Sequence, residues 1–265
     1  MSFRKLISFH PRLAAMLDFI VGALLLWWLT NITTPLLLGL WFAIRLLWWA
    51  VLQQCMFYPR AVSHWGHFFS LAVFNLGLAA LLIFMDAQWT WELVGSIYWF
   101  IPSISFWLVP KDETTLTFAV KPLRRWQFLM TAVGMVGVWS GVYSLAIFQL
   151  AQYQTLALGL VGTVFVSVAI SGWWWRVYGI EKNNNFLLHL AIMFVIIVEL
   201  AGVILLWPTG YLVSGLVITW LWYLLWRLFR FHLSPDGIDW TRQGRFFVLN
   251  AALMAVFLLF IVRWR

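Results

Sequence analysis

The chain has 265 residues, of which 64% are hydrophobic and only 10% are charged, and 21 of them are tryptophan. A soluble domain is usually about half apolar and a quarter charged, so this composition excludes an ordinary soluble protein. The net charge of +8 would suit a nucleic-acid-binding protein, but no motif of that class is present. We therefore predict an integral membrane protein that has the lipid bilayer, and no nucleic acid, as its partner.

Apolar stretches of about 18 residues or more recur along the chain, and each is long enough to cross about 30 Å of hydrocarbon as a helix. They predict nine spans, at residues 12–30, 35–57, 67–86, 91–109, 127–150, 154–176, 186–207, 210–230 and 246–262. The turns between alternate spans are short, which favours antiparallel hairpins. The predicted fold class is all-α, a polytopic transmembrane helical bundle of four tandem hairpins plus a ninth helix. The hairpins cover residues 12–57, 67–109, 127–176 and 186–230, the extra helix covers 246–262, and residues 1–265 form one membrane domain.

A glycine pattern repeats in the four hairpins. Early in the second helix of each lies one glycine, spaced by 56, 64 and 56 residues: Gly39, Gly95, Gly159 and Gly215. The first helices carry Gly22, Gly77, Gly141 and Gly202. A fixed period indicates a repeated supersecondary unit. Small residues let helices approach closely in lipid, so we predict that Gly22 packs with Gly39 and Gly77 with Gly95. The alternative is that glycine is simply common in membrane helices.

Basic residues lie on alternate connections. Fourteen are found there: Arg4, Lys5, Arg12, Arg60, Lys111, Lys121, Arg124, Arg125, Arg176, Lys182, Arg227, Arg230, Arg242 and Arg245. The turns near residues 31–34, 86–91, 151–154 and 208–210 contain none. This asymmetry predicts a cytoplasmic (inner) membrane location with the N-terminus and the basic loops in the cytoplasm. The last helix ends in Arg263-Trp264-Arg265, and we expect it to cross, the alternative being a re-entrant or bent helix at the interface.

The first apolar run is too long for a signal peptide and lacks a small-residue cleavage site, so we expect it to remain as the first span. The longer cytoplasmic connections, 110–126 and 231–245, are candidate contacts for a membrane or cytoplasmic protein partner. A homo-oligomer is the alternative, since an exposed aromatic face suits either lipid or a second copy.

Tryptophans cluster near the predicted ends of the spans. At the inner ends these are Trp48, Trp49, Trp107, Trp126 and Trp173–Trp175. Indole rings favour the membrane interface, so we predict mostly anchoring roles for them. Trp41, Trp99, Trp139 and Trp220 lie deeper, where core packing is the first interpretation and the wall of a ligand cavity is the second.

Two ionisable residues of the first hairpin lie at matched depth. Asp18 is about 14 residues before the first turn and Arg45 about 12 residues after it, so at 1.5 Å per residue their depths differ by about 3 Å. Charged groups are costly within a bilayer unless they are paired. We predict an Asp18–Arg45 ion pair, which either fixes the register of the hairpin or forms part of a proton or solute relay.

Glu199 has no partner of this kind within its own hairpin. It is expected to be protonated, exposed to water in a cavity, or paired across repeats with Arg45. Asn75, Ser140 and Asn250 occupy comparable positions in the third, fifth and ninth helices, and we predict that they make hydrogen bonds between helices.

No constellation of residues predicts catalysis. The P-loop, zinc-protease and nucleophile-elbow motifs are missing from the sequence, and the five histidines do not have the spacing of a metal or haem site. We therefore expect no enzymatic activity, no cofactor and no metal.

The repeated hairpin resembles that of the HdeD family of bacterial inner-membrane proteins. The similar segments are Phe19-Ile-Val-Gly22 with Thr34-Pro35-Leu-Leu-Leu-Gly39, and Glu199-Leu-Ala-Gly202 with Val213-Ser-Gly215. The chain departs from that family in having four hairpins where three are typical, and in its ninth helix. The resemblance implies a setting in acid and general stress resistance, and it carries over no catalytic residue.

These patterns predict a non-enzymatic membrane scaffold or permeability modulator, and the resemblance to the HdeD family implies a role in stress tolerance. A small transporter or channel is the alternative. Its polar pathway would pass Asp18, Arg45 and Glu199.

Overall fold

The computed structural model describes residues 10–32, 34–56, 64–85, 87–110, 116–148, 152–180, 184–234 and 237–262. Every regular element in these ranges is helical. The helices are α1 (Pro11–Leu29), α2 (Pro35–Cys55), α3 (His64–Phe84), α4 (Gln88–Trp107), α5 (Leu116–Ile147), α6 (Tyr153–Val177), α7 (Asn184–Leu205), α8 (Tyr211–His232) and α9 (Trp240–Val256), followed by a π-helical turn at Phe257–Ile261. The predicted all-α class is confirmed.

The first two helices begin with local signals in the sequence. The His10 ring nitrogen accepts a hydrogen bond from the backbone N–H of Arg12 at 3.1 Å, and Pro11 follows at the first helical position. At α2 the Thr34 hydroxyl accepts from the N–H of Leu37 at 3.4 Å. Side-chain caps satisfy N–H groups that a helix start leaves unpaired, and proline lacks the N–H that would otherwise be unpaired.

Eight of the helices in the described ranges are long and apolar enough to cross a membrane, so the chain is a multi-pass membrane protein. The exception is α4, which has the length of a span, 20 residues, but a lower hydropathy because it includes several polar side chains. Some of these face inward, and Ser103 and Ser105 are buried.

Two predicted connections are shorter than expected. Helix α5 begins at Leu116, eleven residues before the predicted span, so most of the predicted 110–126 connection is helical. Helix α9 begins at Trp240, and the segment 231–245 therefore includes the ends of two helices. Both span boundaries were placed at charged residues, and each helix continues past its boundary because a helix can extend beyond the hydrocarbon.

The chain divides into two compact units, Met1–Gly137 and Val138–Arg265, and the division falls within α5. In the first unit α1 packs along α4 and α2, and α3 packs on α2 and α4. The first part of α5 crosses α3, where its glycines meet Gly77. The core of this unit is largely aromatic and aliphatic, with Trp41, Trp49, Phe74 and Phe106 fully enclosed.

In the second unit α6 packs on α7 and α8, and α7 packs on α8. Helix α9 contacts α8 through the ring of Phe246, which lies against Tyr223, and the π-helical turn adds Phe257 against Trp220. Much of the remaining α9 surface is exposed, with Val248 at 70% and Leu249 at 59%. An apolar face of this kind is suited to lipid.

Three tryptophans predicted as interface anchors belong instead to the core. Trp49, Trp174 and Trp175 have no exposed surface. Each lies in the last two turns of its helix, but the surrounding side chains cover it completely. Trp41 and Trp139, predicted as core residues, are also fully buried.

Several residues that carried the topology prediction lie outside the described ranges. They are Arg4, Lys5, Arg60, Lys111, Lys182, Arg263 and Arg265. The sidedness of the protein therefore stays a prediction.

Candidate functional site: an enclosed ion pair

The predicted ion pair is present in the first unit. Arg45 Nη1 lies 3.1 Å from Asp18 Oδ1, and both side chains have 0% exposure. Arg45 Nη2 donates to Asp18 Oδ2 at 3.5 Å. The two residues come from α1 and α2, on either side of the first turn, as matched depth predicted.

Three further donors complete the surroundings of the carboxylate. Trp49 and Trp48 donate their indole N–H groups to Asp18 Oδ1 at 2.8 and 3.2 Å. Ser103, from α4, donates its hydroxyl to Oδ2 at 3.1 Å. Charge-assisted hydrogen bonds are stronger than neutral ones, and a buried charge needs such partners. Asp18 therefore joins three helices, α1, α2 and α4.

Aromatic faces enclose the guanidinium. Arg45 Cζ lies 4.5 Å from the centre of the Trp49 ring and 5.5 Å from that of Tyr98. Tyr98 in turn stacks on Trp41. A cation over an aromatic face is stabilised by the ring quadrupole, most strongly when water is excluded. The pair is thus covered by rings rather than by solvent.

Gly22 has a specific place in this site. A Cβ at this position would lie 3.2 Å from Arg45 Nη2 and 3.2 Å from the Trp99 ring. The Trp99 indole N–H donates to the Phe19 carbonyl at 2.7 Å and ties α4 to α1. Gly22 therefore leaves room for the Arg45 side chain. The predicted packing of Gly22 on Gly39 is not found.

The sequence predicted the pair but not its surroundings. Trp49 follows Arg45 by four residues, so the helical period places both on one face, and this signal was available. Ser103 is 85 residues from Asp18, and nothing in the sequence indicates that contact.

Glu199 is not enclosed. It lies on the exposed surface of α7, so the expected partner or cavity is not found among the described residues. Arg45 is fully buried and already paired with Asp18, which leaves the proposed Glu199–Arg45 pairing without support. The matching of depths between helices says nothing about the direction in which a side chain points.

Of the three other polar residues, one makes the predicted bond between helices. Asn250 of α9 accepts a hydrogen bond from the Trp220 indole of α8 at 3.1 Å. Asn75 and Ser140 are fully buried, and no hydrogen-bond partner for their side chains is found in the described part of the chain. For these two the prediction was wrong.

The predicted hairpin glycine contacts are replaced by others. Around Gly39 an added Cβ would meet nothing within 4 Å, and at Gly95 it would make ordinary contacts with Leu26 at 3.5 Å and Trp91 at 3.6 Å. Gly77 instead lies against the backbone of Gly134 and Gly137 in α5. Close approach of helices is therefore real in this chain, but it joins different hairpins.

The glycines of the second unit differ among themselves. Gly215 lies against Ser140, whose Cα would be 2.9 Å from an added Cβ. Gly141 is buried and accepts the Ser144 hydroxyl through its carbonyl at 2.8 Å. At Gly159 and Gly202 an added Cβ would meet nothing within 4 Å. Equal positions in the repeat therefore do not have equal surroundings.

An open cleft of about 570 Å³ lies where α1 ends and α2 begins, against the end of α3 and the start of α4. Its walls are mostly apolar and include Leu29, Leu38 and Trp91. The Thr30 hydroxyl in the wall is already used, because it donates to the Trp27 carbonyl at 2.6 Å. None of the described residues that line the cleft is charged.

In the described residues no group of three or more His, Cys, Asp or Glu side chains could hold a metal ion. No protein-family model, curated protein or solved structure that was compared with the chain matches it. The resemblance to the HdeD family therefore stays a prediction.

Proposed function

We propose that this chain is a non-enzymatic scaffold of a bacterial inner membrane, with its N-terminus in the cytoplasm. The observation that carries the proposal is the closure of the Asp18–Arg45 site. Both side chains are fully buried, and each carboxylate oxygen of Asp18 has its own donors.

A site of this kind suits stabilisation better than transport. A polar group on a solute pathway needs contact with water or with the solute, whereas Asp18 and Arg45 contact each other, two indoles and a serine. Breaking such a pair inside a low-dielectric interior is costly, so the pair holds α1, α2 and α4 in register. The proposed stress-tolerance role comes from the resemblance of the hairpin to the HdeD family.

The experiment is a comparison of solute and proton flux with survival. The full chain is reconstituted in vesicles of phosphatidylethanolamine and phosphatidylglycerol, with wild type, Asp18→Asn and Glu199→Gln measured side by side at neutral and acidic pH. We expect flux equal to that of lipid-only vesicles for all three proteins. In cells, loss of the gene is expected to lower survival under acid stress, and Asp18→Asn to restore it poorly.

Flux that exceeds the lipid-only level in wild type and is abolished by both substitutions would replace the scaffold function by a transporter. Normal acid survival without the gene would contradict the stress-tolerance role. The scaffold role would then be tested by the flux measurement alone.

A further inference from the structure

Two arginines lie close together near the end of α8. Arg227 and Arg230 are three residues apart, so they share one face of the helix, and both side chains are half-buried. Arg227 Cζ lies 3.6 Å from the centre of the Phe246 ring of α9, and Arg230 Cζ lies 4.1 Å from that of Tyr178, which follows α6. Three helices of the second unit therefore meet around this pair.

The pair has no carboxylate among the described residues. No Asp or Glu oxygen among the described side chains lies within 4.0 Å of a nitrogen of Arg227 or Arg230. Arg227 donates instead to the Tyr223 hydroxyl at 3.1 Å. Like charges three residues apart on a helix repel, and an anion between them would remove this cost.

The surroundings indicate the kind of anion. Guanidinium groups bind phosphate oxygens through two parallel hydrogen bonds, and they do so well beside aromatic rings. Tyr178, Phe231 and Phe246 supply such rings at the end of a membrane span, which is the level where lipid headgroups lie. Basic pockets between transmembrane helices on the cytoplasmic side are suited to anionic headgroups.

We propose that Arg227 and Arg230 bind the phosphate of an anionic phospholipid headgroup, in the cytoplasmic leaflet according to the predicted topology. The aromatic side chains hold the guanidinium planes while the acyl chains lie along the exposed faces of α8 and α9. The lipid site adds a ligand to the proposed scaffold function and does not depend on it.

A purely structural role for the arginines is the competing explanation. Basic residues in the last turn of a helix stabilise its negative end, and Arg230 is in that turn of α8. Arg227 lies one turn earlier and contacts α9, so the dipole accounts for one arginine and not for the pair. Lipid selectivity separates the two explanations, because a structural role predicts none.

The test is native mass spectrometry of the full chain in mild detergent, with phosphatidylglycerol or phosphatidylcholine of the same acyl chains added. Wild type, the double variant Arg227→Gln/Arg230→Gln and the control Arg125→Gln are compared. The control removes an exposed arginine of the first unit and leaves the pair intact. We expect wild type and control to prefer phosphatidylglycerol, and the double variant to bind it about 25-fold more weakly, from about fivefold per arginine.

Equal retention of the two lipids by wild type would overturn the proposal, as would an equal loss in the control. Displacement of phosphatidylglycerol from wild type by inorganic phosphate would assign the pair to a soluble anion instead. If the double variant does not fold, Arg227→Lys/Arg230→Lys keeps both charges, and retained selectivity in that variant together with wild-type selectivity supports the site.

Discussion

Gly77 of α3 and Gly134 of α5 touch through their backbones. A methyl group at Gly77 would lie 2.7 Å from the Cα of Gly134, and one at Gly134 would lie 2.6 Å from the Val73 carbonyl oxygen. Both distances are shorter than real Cβ contacts, and the opposing atoms belong to the backbone, which cannot rotate away as a flexible side chain can. In lipid, helices gain dispersion contacts by this kind of approach.

Gly134→Ala should therefore destabilise the protein. Overpacking in a filled interior costs about 1–3 kcal/mol, and we expect that loss in the free energy of unfolding measured by denaturant titration in detergent micelles. The matched control is Gly159→Ala, where the methyl group meets nothing within 4 Å. Within a helix, glycine is less stable than alanine by about 0.5–1 kcal/mol. The control variant should therefore be as stable as wild type or more stable. Equal effects of the two substitutions would contradict the close crossing.

Asp18→Asn should lower the free energy of unfolding by about 3–5 kcal/mol, because Arg45 would remain buried without its counter-charge. A double-mutant cycle combines this substitution with Arg45→Met. Arg45→Met leaves the Asp18 carboxylate unpaired and should lower the free energy of unfolding by a similar amount. The double variant removes both charges, and we expect it to be more stable than either single variant. Strict additivity of the two losses would show that the residues are not coupled.

Trp222→Phe tests the bond between α8 and α6. The Trp222 indole N–H lies 2.9 Å from the Ser171 hydroxyl oxygen and 3.1 Å from the Ser167 carbonyl oxygen. Loss of this donor should cost about 0.5–1.5 kcal/mol of unfolding free energy. Trp65 is 81% exposed and serves as the control, for which a phenylalanine should have little effect. A larger loss in the control would assign the effect to bilayer anchoring.

Glu199→Gln should not destabilise the protein. The side chain lies on the exposed surface of a span, where a charge costs up to about 3 kcal/mol at the centre of the bilayer. Removal of that charge should leave the thermal midpoint in lipid nanodiscs unchanged or raise it. A marked fall, in contrast, would reveal a partner for Glu199 in a second copy or another protein, and size measurement of the same sample would identify a complex.

Some of the fold follows from the sequence because membrane physics leaves few alternatives. In hydrocarbon a chain segment must satisfy its own backbone, so apolar runs of span length predict helices. The Asp18–Arg45 pair could be predicted for a related reason. Two opposite charges at the same depth in adjacent helices are stabilised by pairing, because an unpaired charge is costly in hydrocarbon.

The remaining contacts depend on helix rotation and on partners distant in the chain. Gly134 and Gly137 were overlooked because the repeat pattern uses one glycine per helix, while the close contact uses two glycines of α5 against one of α3. The sequence shows the depth of Glu199 along its helix but not the direction in which its side chain points. Helix packing in lipid depends on how well the side-chain surfaces of two helices fit together. A single sequence does not show which surfaces face each other.

The donors to Asp18 also set an order of events during synthesis. Arg45 is 27 residues further along the chain and Ser103 is 85 residues further. At about 5–20 residues per second, the ribosome delivers Arg45 within about 1–5 seconds and Ser103 only after about 4–17 seconds. The first helix therefore enters the bilayer with a carboxylate that is neutralised by the second helix and fully hydrogen-bonded only after the fourth has been made.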